Sequence, residues 1–233
     1  MRRVDFQTCL IVGAGPGLSA SLTRCFARAG MKVALGARRP EKLTALCGET
    51  GAQAFACDAA SRDQVCSLFD AVESAMGSPD VVVYNAGARV RGLFDELDPS
   101  AVEASLAQTA MGGFFVAHRA VRTMLRRKSG AILFTGASAS VKGYARSAPF
   151  AMGKFALRGL AQSMARELAP KGIHVAHFVI DGAIGSSVEP DASDDEDSML
   201  DPDAIAATYL HVLQQPRSAW TWEVELRPWR ESF

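Results

Sequence analysis

The sequence predicts an α/β protein built on a doubly wound parallel sheet of about seven strands, with helices on both faces. Two features predict this class. Short apolar runs alternate with helix-length amphipathic stretches along the chain, and such alternation is typical of parallel strands joined by helices. The fourth run, Asp80–Tyr84 (DVVVY), is almost entirely apolar, as expected for a strand that is covered on both faces.

The predicted strands are short apolar runs, and the predicted helices carry apolar residues near a 3.6-residue period. A glycine after the first helix, a proline opening the second and a serine before the third supply stop, start and cap signals. The strands are Thr8–Val12, Lys32–Gly36, Gln53–Cys57, Asp80–Tyr84, Ala131–Thr135, Ile173–Ile180 and Glu223–Leu226. The helices run from Leu18 to Ala29, Pro40 to Leu46, Ser61 to Met76, Ser100 to Arg127, Ala148 to Ala169 and Pro202 to Gln214.

Length and composition fit a single domain over residues 1–233. The chain has 233 residues, 48% of them hydrophobic, with 25 basic and 25 acidic side chains and a formal net charge of zero. This balance does not indicate binding to nucleic acid or to an anionic membrane. No apolar run approaches the ~18 residues of a membrane span, and the N-terminus lacks a signal-peptide pattern. A small-molecule substrate is therefore expected.

Cysteine and histidine spacing predicts neither disulfides nor a metal site. The five cysteines are scattered and form no C-x-x-C pair, which favours reduced thiols in the cytoplasm. The four histidines lack H-E-x-x-H or comparable spacing, so no metal is expected. One segment, Ser187–Asp201, is strongly acidic. It is interpreted as a mobile solvated loop, with a lid over the substrate as the alternative.

A glycine-rich turn follows the first strand and opens the first helix. It reads Val12-Gly13-Ala14-Gly15-Pro16-Gly17-Leu18-Ser19, and this context is that of a Rossmann-type dinucleotide site. Gly13, Gly15 and Gly17 permit a tight turn and close approach of the backbone to a pyrophosphate. The free N–H groups at the helix start, from Leu18, can then bind that anion. Taken alone, the segment could also be an ordinary strand-to-helix turn.

Other motifs give the chain a resemblance to the short-chain dehydrogenase/reductase family. Asp58 follows the third strand, and Asn85-Ala86-Gly87 follows the fourth. The family pattern is T-G-x-x-x-G-x-G in the first turn, an acidic residue after strand three, N-A-G after strand four and Y-x-x-x-K on a later helix. The resemblance extends from about Thr8 to Ser186. Val12 replaces the threonine, and Ser19 replaces the third glycine, which should loosen helix–strand packing slightly.

Residues after the second strand predict NADP(H) as the cofactor. They read Gly36-Ala37-Arg38-Arg39, without the acidic residue that NAD-preferring relatives use for the ribose. A guanidinium binds phosphate bidentately, so Arg38 is predicted to bind the 2′-phosphate; a solvated loop arginine is the alternative. The resemblance implies that Asp58 contacts adenine, that Asn85, Ala86 and Gly87 lie beside the adenosine ribose, and that Ile184 and Ser186 contact the cofactor after strand six.

Most of the catalytic residues that the resemblance implies are replaced in this chain. The Y-x-x-x-K position reads Phe150-Ala151-Met152-Gly153-Lys154, so the proton-donating tyrosine is a phenylalanine, whereas the lysine is retained. Thr109 replaces the asparagine that holds a relay water. The serine position falls on Ala137, although a local shift of the loop could present Ser138 or Ser140 instead. The chain resembles a subgroup of the family with phenylalanine for tyrosine and an imperfect glycine motif.

Lys154 retains one role that needs no tyrosine. The resemblance implies that it holds the nicotinamide ribose. The alternatives are a catalytic lysine that lowers the pKa of a proton-donating group and a surface lysine without function. Asp181 replaces the family's proline after strand six, while Ser186 keeps a hydroxyl at the threonine position. Tyr144 could supply a substitute hydroxyl, but a surface loop tyrosine is the favoured interpretation.

Three functions compete on these residues. The first is an NADP(H)-dependent oxidoreductase acting on a carbonyl/alcohol pair, with Ser138, water or the substrate as the proton source. The second is a catalytically inactive NADP(H)-binding sensor or scaffold, which Phe150 favours. The third, a dimeric scaffold without cofactor, is disfavoured by the glycine turn and Arg38. By the same resemblance, the two long helices are expected to pair across a two-fold axis in a homodimer or homotetramer.

Overall fold

The computed structural model describes residues 6–185 and 198–230, which include a seven-stranded parallel sheet. The spatial order is β3-β2-β1-β4-β5-β6-β7, so the direction of winding reverses between β1 and β4. The predicted fold class is confirmed. The strands are β1 Thr8–Val12, β2 Lys32–Ala37, β3 Gln53–Ala56, β4 Val81–Tyr84, β5 Gly130–Thr135, β6 Ile173–Ile180 and β7 Glu223–Leu226.

Seven α-helices flank the sheet in the described part of the chain. They are α1 Leu18–Arg28, α2 Thr44–Thr50, α3 Arg62–Met76, α4 Pro99–Leu106, α5 Gly112–Arg127, α6 Ala148–Leu168 and α7 Pro202–Leu213. Ser61 caps α3 through the amide of Gln64, as predicted. The helix expected over Pro40–Leu46 instead begins as a 3₁₀ turn, Pro40–Leu43, which leads into α2.

The helix predicted over Ser100–Arg127 is not continuous. A π-helical turn, Ala107–Met111, separates α4 from α5. The Tyr84 hydroxyl donates a hydrogen bond to the carbonyl of Gln108 inside this turn, and a Cβ on Gly112 would lie 2.4 Å from that hydroxyl. The helical periodicity of the sequence does not reveal a single inserted residue. Such π-bulges are frequent at functional sites.

Two apolar layers cover the sheet. One packs β1, β2, β4, β5 and β6 against α1 and α7, and the other packs the opposite face against α3, α5 and α6. The strand interiors are buried throughout β1, β4, β5 and β6. Because parallel strands share one direction, their carboxyl ends meet at one edge, and folds of this class bind ligands there, at the switch point between β1 and β4.

Three expectations are not tested by the fold. Most of the acidic segment Ser187–Asp201 lies outside the described residues, as does the cofactor contact expected at Ser186. No helix in residues 6–185 and 198–230 is long and apolar enough to cross a bilayer. The assignment of residues 1–233 to a single domain stays a prediction.

Candidate active site

The glycine turn at the end of β1 has the shape of an anion cradle. Gly13 adopts φ +87°, and a Cβ there would lie 2.3 Å from the amide nitrogen of Ala86, so only glycine fits. The amides of Gly13 and Ala14 both donate to the carbonyl of Gly36. A Cβ on Gly15 or Gly17 would meet open space. The turn is therefore tied down at its base and open above, where a pyrophosphate fits at the N-terminus of α1.

Ser19, at the position of the family's third glycine, is accommodated as a buried residue. Its hydroxyl donates to the Gly13 carbonyl at 3.2 Å and accepts from Nδ2 of Asn85 at 2.7 Å. Asn85 also reaches the Gly13 carbonyl at 3.4 Å. The serine thus connects the first turn to the N-A-G segment after β4 by hydrogen bonds, which offset any loss of close packing there.

The residues expected to bind the adenosine half lie on neighbouring strands. Arg38 directly follows β2 and is exposed. It forms no ion pair with any residue in the described ranges. Asp58 follows β3, where its Oδ1 accepts from the amide of Ala60 at 3.0 Å. With the glycine turn after β1, the structure brings Arg38 and Asp58 to the same edge of the sheet, on the side of the switch point formed by β1, β2 and β3.

Lys154 lies on α6 and is buried, with 6% of its surface exposed. Its ammonium donates to the carbonyl of Thr135, at the end of β5, over 2.7 Å. Burial lowers the pKa of Lys154 to about 8. A Cβ on Gly87 would lie 3.6 Å from Nζ, so Lys154 stands directly behind the N-A-G segment. Its burial excludes the alternative of a surface position for Lys154.

Phe150 lies one helical turn before Lys154, so both face the same crevice. The Lys154 ammonium is 5.8 Å from the centroid of the Phe150 ring, and Cζ of Arg89 lies over that ring at 5.0 Å. Thr109 sits in the π turn between α4 and α5, where its hydroxyl accepts from the amide of Ala88 at 3.1 Å. Phe150, Thr109 and Lys154 therefore converge as the sequence predicts.

The loop after β5 presents Ala137 and Ser138 rather than Ser140. Both residues are partly exposed, and Ser138 begins a 3₁₀ turn, Ser138–Ser140. Ser140 is fully buried, and its hydroxyl accepts from the amide of Ala137 at 3.1 Å. The alternative that Ser140 meets a substrate is therefore wrong, because the hydroxyl points into the protein.

Beneath that loop lies a buried polar chain that sequence patterns missed. The Ser140 hydroxyl is 3.3 Å from Nε2 of His177, whose Nδ1 is 3.1 Å from the Glu223 carboxylate. Arg158 binds Glu223 bidentately at 2.6 and 2.7 Å. Burial lowers the pKa of His177 to about 4 despite the opposing effect of Glu223. The imidazole is then neutral, donating through Nδ1 to Glu223 and accepting through Nε2 from Ser140.

Asp181, at the position of the family's proline, closes the edge after β6. It is buried and pairs with Lys142 at 3.1 Å and with Arg227 at 2.6 Å. Nothing in the local sequence marks these three residues as partners, because they come from three separate segments. Ile184, an expected cofactor contact, is exposed, and its backbone forms a β-bridge with Leu200. Tyr144 is 48% exposed, in keeping with a surface loop position.

Other groups in the described ranges offer no competing chemistry. The five cysteines are free. No cluster of three or more His, Cys, Asp or Glu side chains capable of holding a metal occurs in residues 6–185 and 198–230. The open glycine turn is compatible with a bound dinucleotide, because it leaves room where the pyrophosphate would lie.

Comparison with known proteins assigns the family. The profile described as short chain dehydrogenase matches residues 7–197. The chain belongs to this family. Among short-chain dehydrogenases and related proteins, human 3-oxoacyl-[acyl-carrier-protein] reductase is 26% identical over 191 residues, which are 81% of this chain and 80% of the relative. An uncharacterised oxidoreductase of Staphylococcus saprophyticus is 24% identical, covering 98% of this chain and 100% of the relative.

Solved structures of short-chain dehydrogenases superpose over nearly the whole chain. One from Rhodopseudomonas palustris is 35% identical with a TM-score of 0.82, covering 98% of this chain and 100% of that one. A metagenomic short-chain oxidoreductase in complex with NADP is 26% identical with a TM-score of 0.85, again covering 98% and 100%. The resemblance carried by the glycine turn, Asp58, N-A-G and Lys154 is thereby confirmed at the level of the family.

Proposed function

We propose that this short-chain dehydrogenase is an NADP(H)-dependent oxidoreductase acting on a carbonyl/alcohol pair through an atypical site. The observation that carries the proposal is Lys154. A buried ammonium is costly, yet this one lies behind Gly87 with a single hydrogen bond to the Thr135 carbonyl. A ribose hydroxyl is the kind of acceptor that such a group lacks, and holding it needs no tyrosine.

The choice of NADP(H) rests on Arg38. Its side chain is exposed at the end of β2, beside the open glycine turn, and it has no carboxylate partner in the described ranges. A 2′-phosphate offers a guanidinium two charge-assisted hydrogen bonds, whereas the unmodified ribose of NADH offers none of that charge. The complex of the metagenomic relative with NADP supports the same choice.

Cofactor titration tests this part of the proposal. We expect NADPH to bind more tightly than NADH. Arg38→Ala should weaken NADPH binding by about 10- to 100-fold, the value of a hydrogen-bonded charge, and leave NADH binding almost unchanged. Arg28→Ala, which removes an exposed arginine at the end of α1, is the matched control and should alter neither. Equal affinities of the unmodified protein for NADPH and NADH would refute the assignment.

Proton transfer is where this site departs from its family. When bound, the cofactor supplies or accepts the hydride. The alkoxide formed on reduction then needs a proton, which Phe150 cannot give. Lys154, Ser138 and water are the groups that can hold a proton near this ring. Loss of a positioned acid typically costs about 10²–10⁴-fold in rate, so we propose slow turnover relative to tyrosine-bearing relatives.

Restoring the phenol tests the depleted site directly. Phe150→Tyr places a hydroxyl on the ring whose centroid is 5.8 Å from the Lys154 ammonium, and a nearby cation lowers a phenol pKa. We expect carbonyl reduction with NADPH to rise by at least about 10-fold. Phe6→Tyr adds the same hydroxyl to a partly exposed ring ahead of β1, at the opposite edge of the sheet, and should have no effect. A substantial native rate that Phe150→Tyr leaves unchanged and Ser138→Ala abolishes would move the proton chemistry to Ser138.

The second candidate is a catalytically inactive NADP(H)-binding sensor or scaffold. Phe150 and Ala137 favour it, because together they remove the acid and the carbonyl-orienting hydroxyl. Both functions predict that NADPH binds, so the cofactor titration does not separate them. A screen of carbonyl substrates does, because only the oxidoreductase should reduce one. Tight NADPH binding without reduction of any carbonyl, in the unmodified protein and after Phe150→Tyr, would favour the sensor or scaffold.

We also propose that the protein forms a homodimer or homotetramer through α5 and α6. Large apolar side chains remain exposed on and beside these helices, namely Met111, Phe114, Met152 and Phe155, each between 44% and 51% exposed. A patch of this kind marks an interaction surface, and two-fold symmetry is the usual solution. Light scattering at micromolar concentration tests it, and a monomeric mass would count against it. Residence in the cytoplasm stays a prediction from the free cysteines.

A further inference from the structure

The backbone before Arg89 is clamped by two buried hydroxyls. The amide of Ala88 donates to Oγ1 of Thr109 at 3.1 Å, and the carbonyl of Ala88 accepts from the hydroxyl of Ser105 at 3.1 Å. Both hydroxyl-bearing residues are about 1% exposed. One stands at the end of α4 and the other in the π turn, so Arg89 leaves the N-A-G segment from a fixed position beside the crevice.

The side chain of Arg89 is then held by Phe150. Its Cζ lies over the ring at 5.0 Å from the centroid, within the range of a cation–π contact. Two departures from the family pattern therefore act on one cation, because Thr109 fixes the backbone next to Arg89 and Phe150 supports its guanidinium. The ring has lost its acid and has kept a flat surface on which a guanidinium stacks.

Arg89 has no anionic partner within the described ranges, unlike other cations at the same end of the sheet. Lys142 pairs with Asp181, and Arg158 pairs with Glu223. Arg89 is exposed, and its guanidinium lies over the aromatic face of Phe150. Arg91 and Arg146, both exposed, come from segments that a hydrogen bond joins, from the amide of Gly92 to the carbonyl of Arg146. Three exposed arginines therefore come from adjoining backbone segments, and an anion close to them would be attracted.

We propose that Arg89 is the substrate-recognition residue of this site and that the substrate is a carbonyl or alcohol compound carrying a carboxylate near the reacting carbon. The inference rests on the proposed function and names its substrate class. A phenol on this ring would place its oxygen in the ring plane, beyond the para carbon. Arg89 lies over the ring face instead. Its guanidinium therefore lies beside the reacting group and can bind a neighbouring substituent of the substrate. A planar carboxylate is the substituent that a guanidinium binds bidentately.

Binding to a dead-end complex tests the inference without turnover. The protein is saturated with NADP⁺ and titrated with matched pairs of oxo acids and their methyl esters: pyruvate, acetoacetate and levulinate with their esters. We expect at least one acid to bind about 10- to 100-fold more tightly than its ester. Arg89→Ala should abolish the difference, and Arg89→Lys should keep part of it. Arg126→Ala, an exposed arginine near the end of α5, should leave it unchanged.

Thr109 supplies a second, independent variant. Thr109→Val removes the hydroxyl that accepts from Ala88, and Thr109→Ser keeps it. We expect the valine variant to lose most of the preference for the acid and the serine variant to retain it. Each preference is measured at saturating NADP⁺, so that a change in cofactor affinity does not enter the comparison. A structural role alone would not separate acid from ester.

The outcomes separate this inference from the proposed function. Esters that bind as tightly as their acids, or an acid preference that survives Arg89→Ala, overturn the role of Arg89 while leaving cofactor binding intact. Failure of NADPH itself to bind, measured on the same samples, overturns the proposed function instead. A preference that follows Arg89 in the variants, with normal NADPH affinity, supports both.

Discussion

The stability of this protein is expected to depend on the protonation of one buried histidine. His177 is fully buried on β6 between Ser140 and Glu223, and its pKa is lowered to about 4, chiefly by burial. Glu223 opposes this shift, while Lys154 and Arg158 add to it. In the unfolded chain the same imidazole returns to its ordinary value near 6.5. Between these values the unfolded state holds a proton that the folded state lacks.

The sign follows from that difference. As the pH decreases, stability falls wherever the unfolded state binds more protons than the folded state. The contribution of His177 is therefore complete above about pH 6.5 and is lost as the pH falls toward 4. Between pH 7.5 and pH 5, a shift of this size lowers the free energy of unfolding by about 2 kcal/mol. The pKa of Glu223 is also lowered, so its own contribution is lost only at more acidic pH.

The assay compares unfolding at two pH values in variants. Urea unfolding is followed by far-ultraviolet circular dichroism at pH 7.5 and pH 5, at one protein concentration. His177→Gln removes the titrating ring, so its loss on acidification should be smaller than that of the unmodified protein by about 2 kcal/mol. The comparison uses the change with pH rather than absolute stability, because glutamine also alters the hydrogen bonds to Ser140 and Glu223.

A matched histidine controls for general effects of acid. His211 on α7 is exposed, so His211→Gln should lose as much stability as the unmodified protein. His174 also has a pKa lowered by burial and is left in place in every variant, so that its contribution cancels. If His177→Gln loses stability on acidification to the same extent as the unmodified protein, His177 is not held neutral and the reasoning is refuted.

Two further predictions concern the cofactor site. Gly13→Ala forces a Cβ to 2.3 Å from the backbone of Ala86 at φ +87°, and urea unfolding should register a loss of about 3 kcal/mol or more; Gly17→Ala, whose Cβ meets open space, should lose less than about 1 kcal/mol. Lys154→Met removes a buried ammonium and its bond to Thr135 and should stabilise the cofactor-free protein by about 1–2 kcal/mol at pH 7 while weakening NADPH binding. Since the pKa of Lys154 is about 8, the unmodified protein gains stability as the pH rises from 8 toward 10.5. The difference in stability between Lys154→Met and the unmodified protein should therefore shrink over that range. A difference that stays constant with pH would contradict the burial argument.

Periodicity and turn residues determined most of the fold. Strands β1, β6 and β7 have the predicted bounds, and the others differ by one residue at an end. A buried parallel strand needs a continuous apolar run, and a helix needs a 3.6-residue stripe, so both leave local signatures. The same method missed the π turn at Ala107–Met111, because that turn depends on Tyr84, which lies more than twenty residues earlier in the chain.

The family was likewise readable from the sequence, whereas the roles of the site residues stay predictions. The glycine turn, Asp58, the N-A-G segment and Lys154 are motifs with fixed spacing, and each is set by contacts within a few residues or by the end of a strand. The replacement of the catalytic tyrosine by Phe150 stays a prediction from the same motif spacing. These are local chemical facts, which the order of residues alone carries.

Only the tertiary structure decided what the altered residues touch. Arg89 meets Phe150 across about sixty positions of sequence, and Ser140 reaches His177 and, through it, Glu223 on a different strand. Such contacts are made by side chains that converge at the carboxyl edge of a parallel sheet, and the sequence distance between them carries no signal. The motifs thus assign the family, whereas the packing around Phe150 and beneath Ser138 decides how this member departs from it.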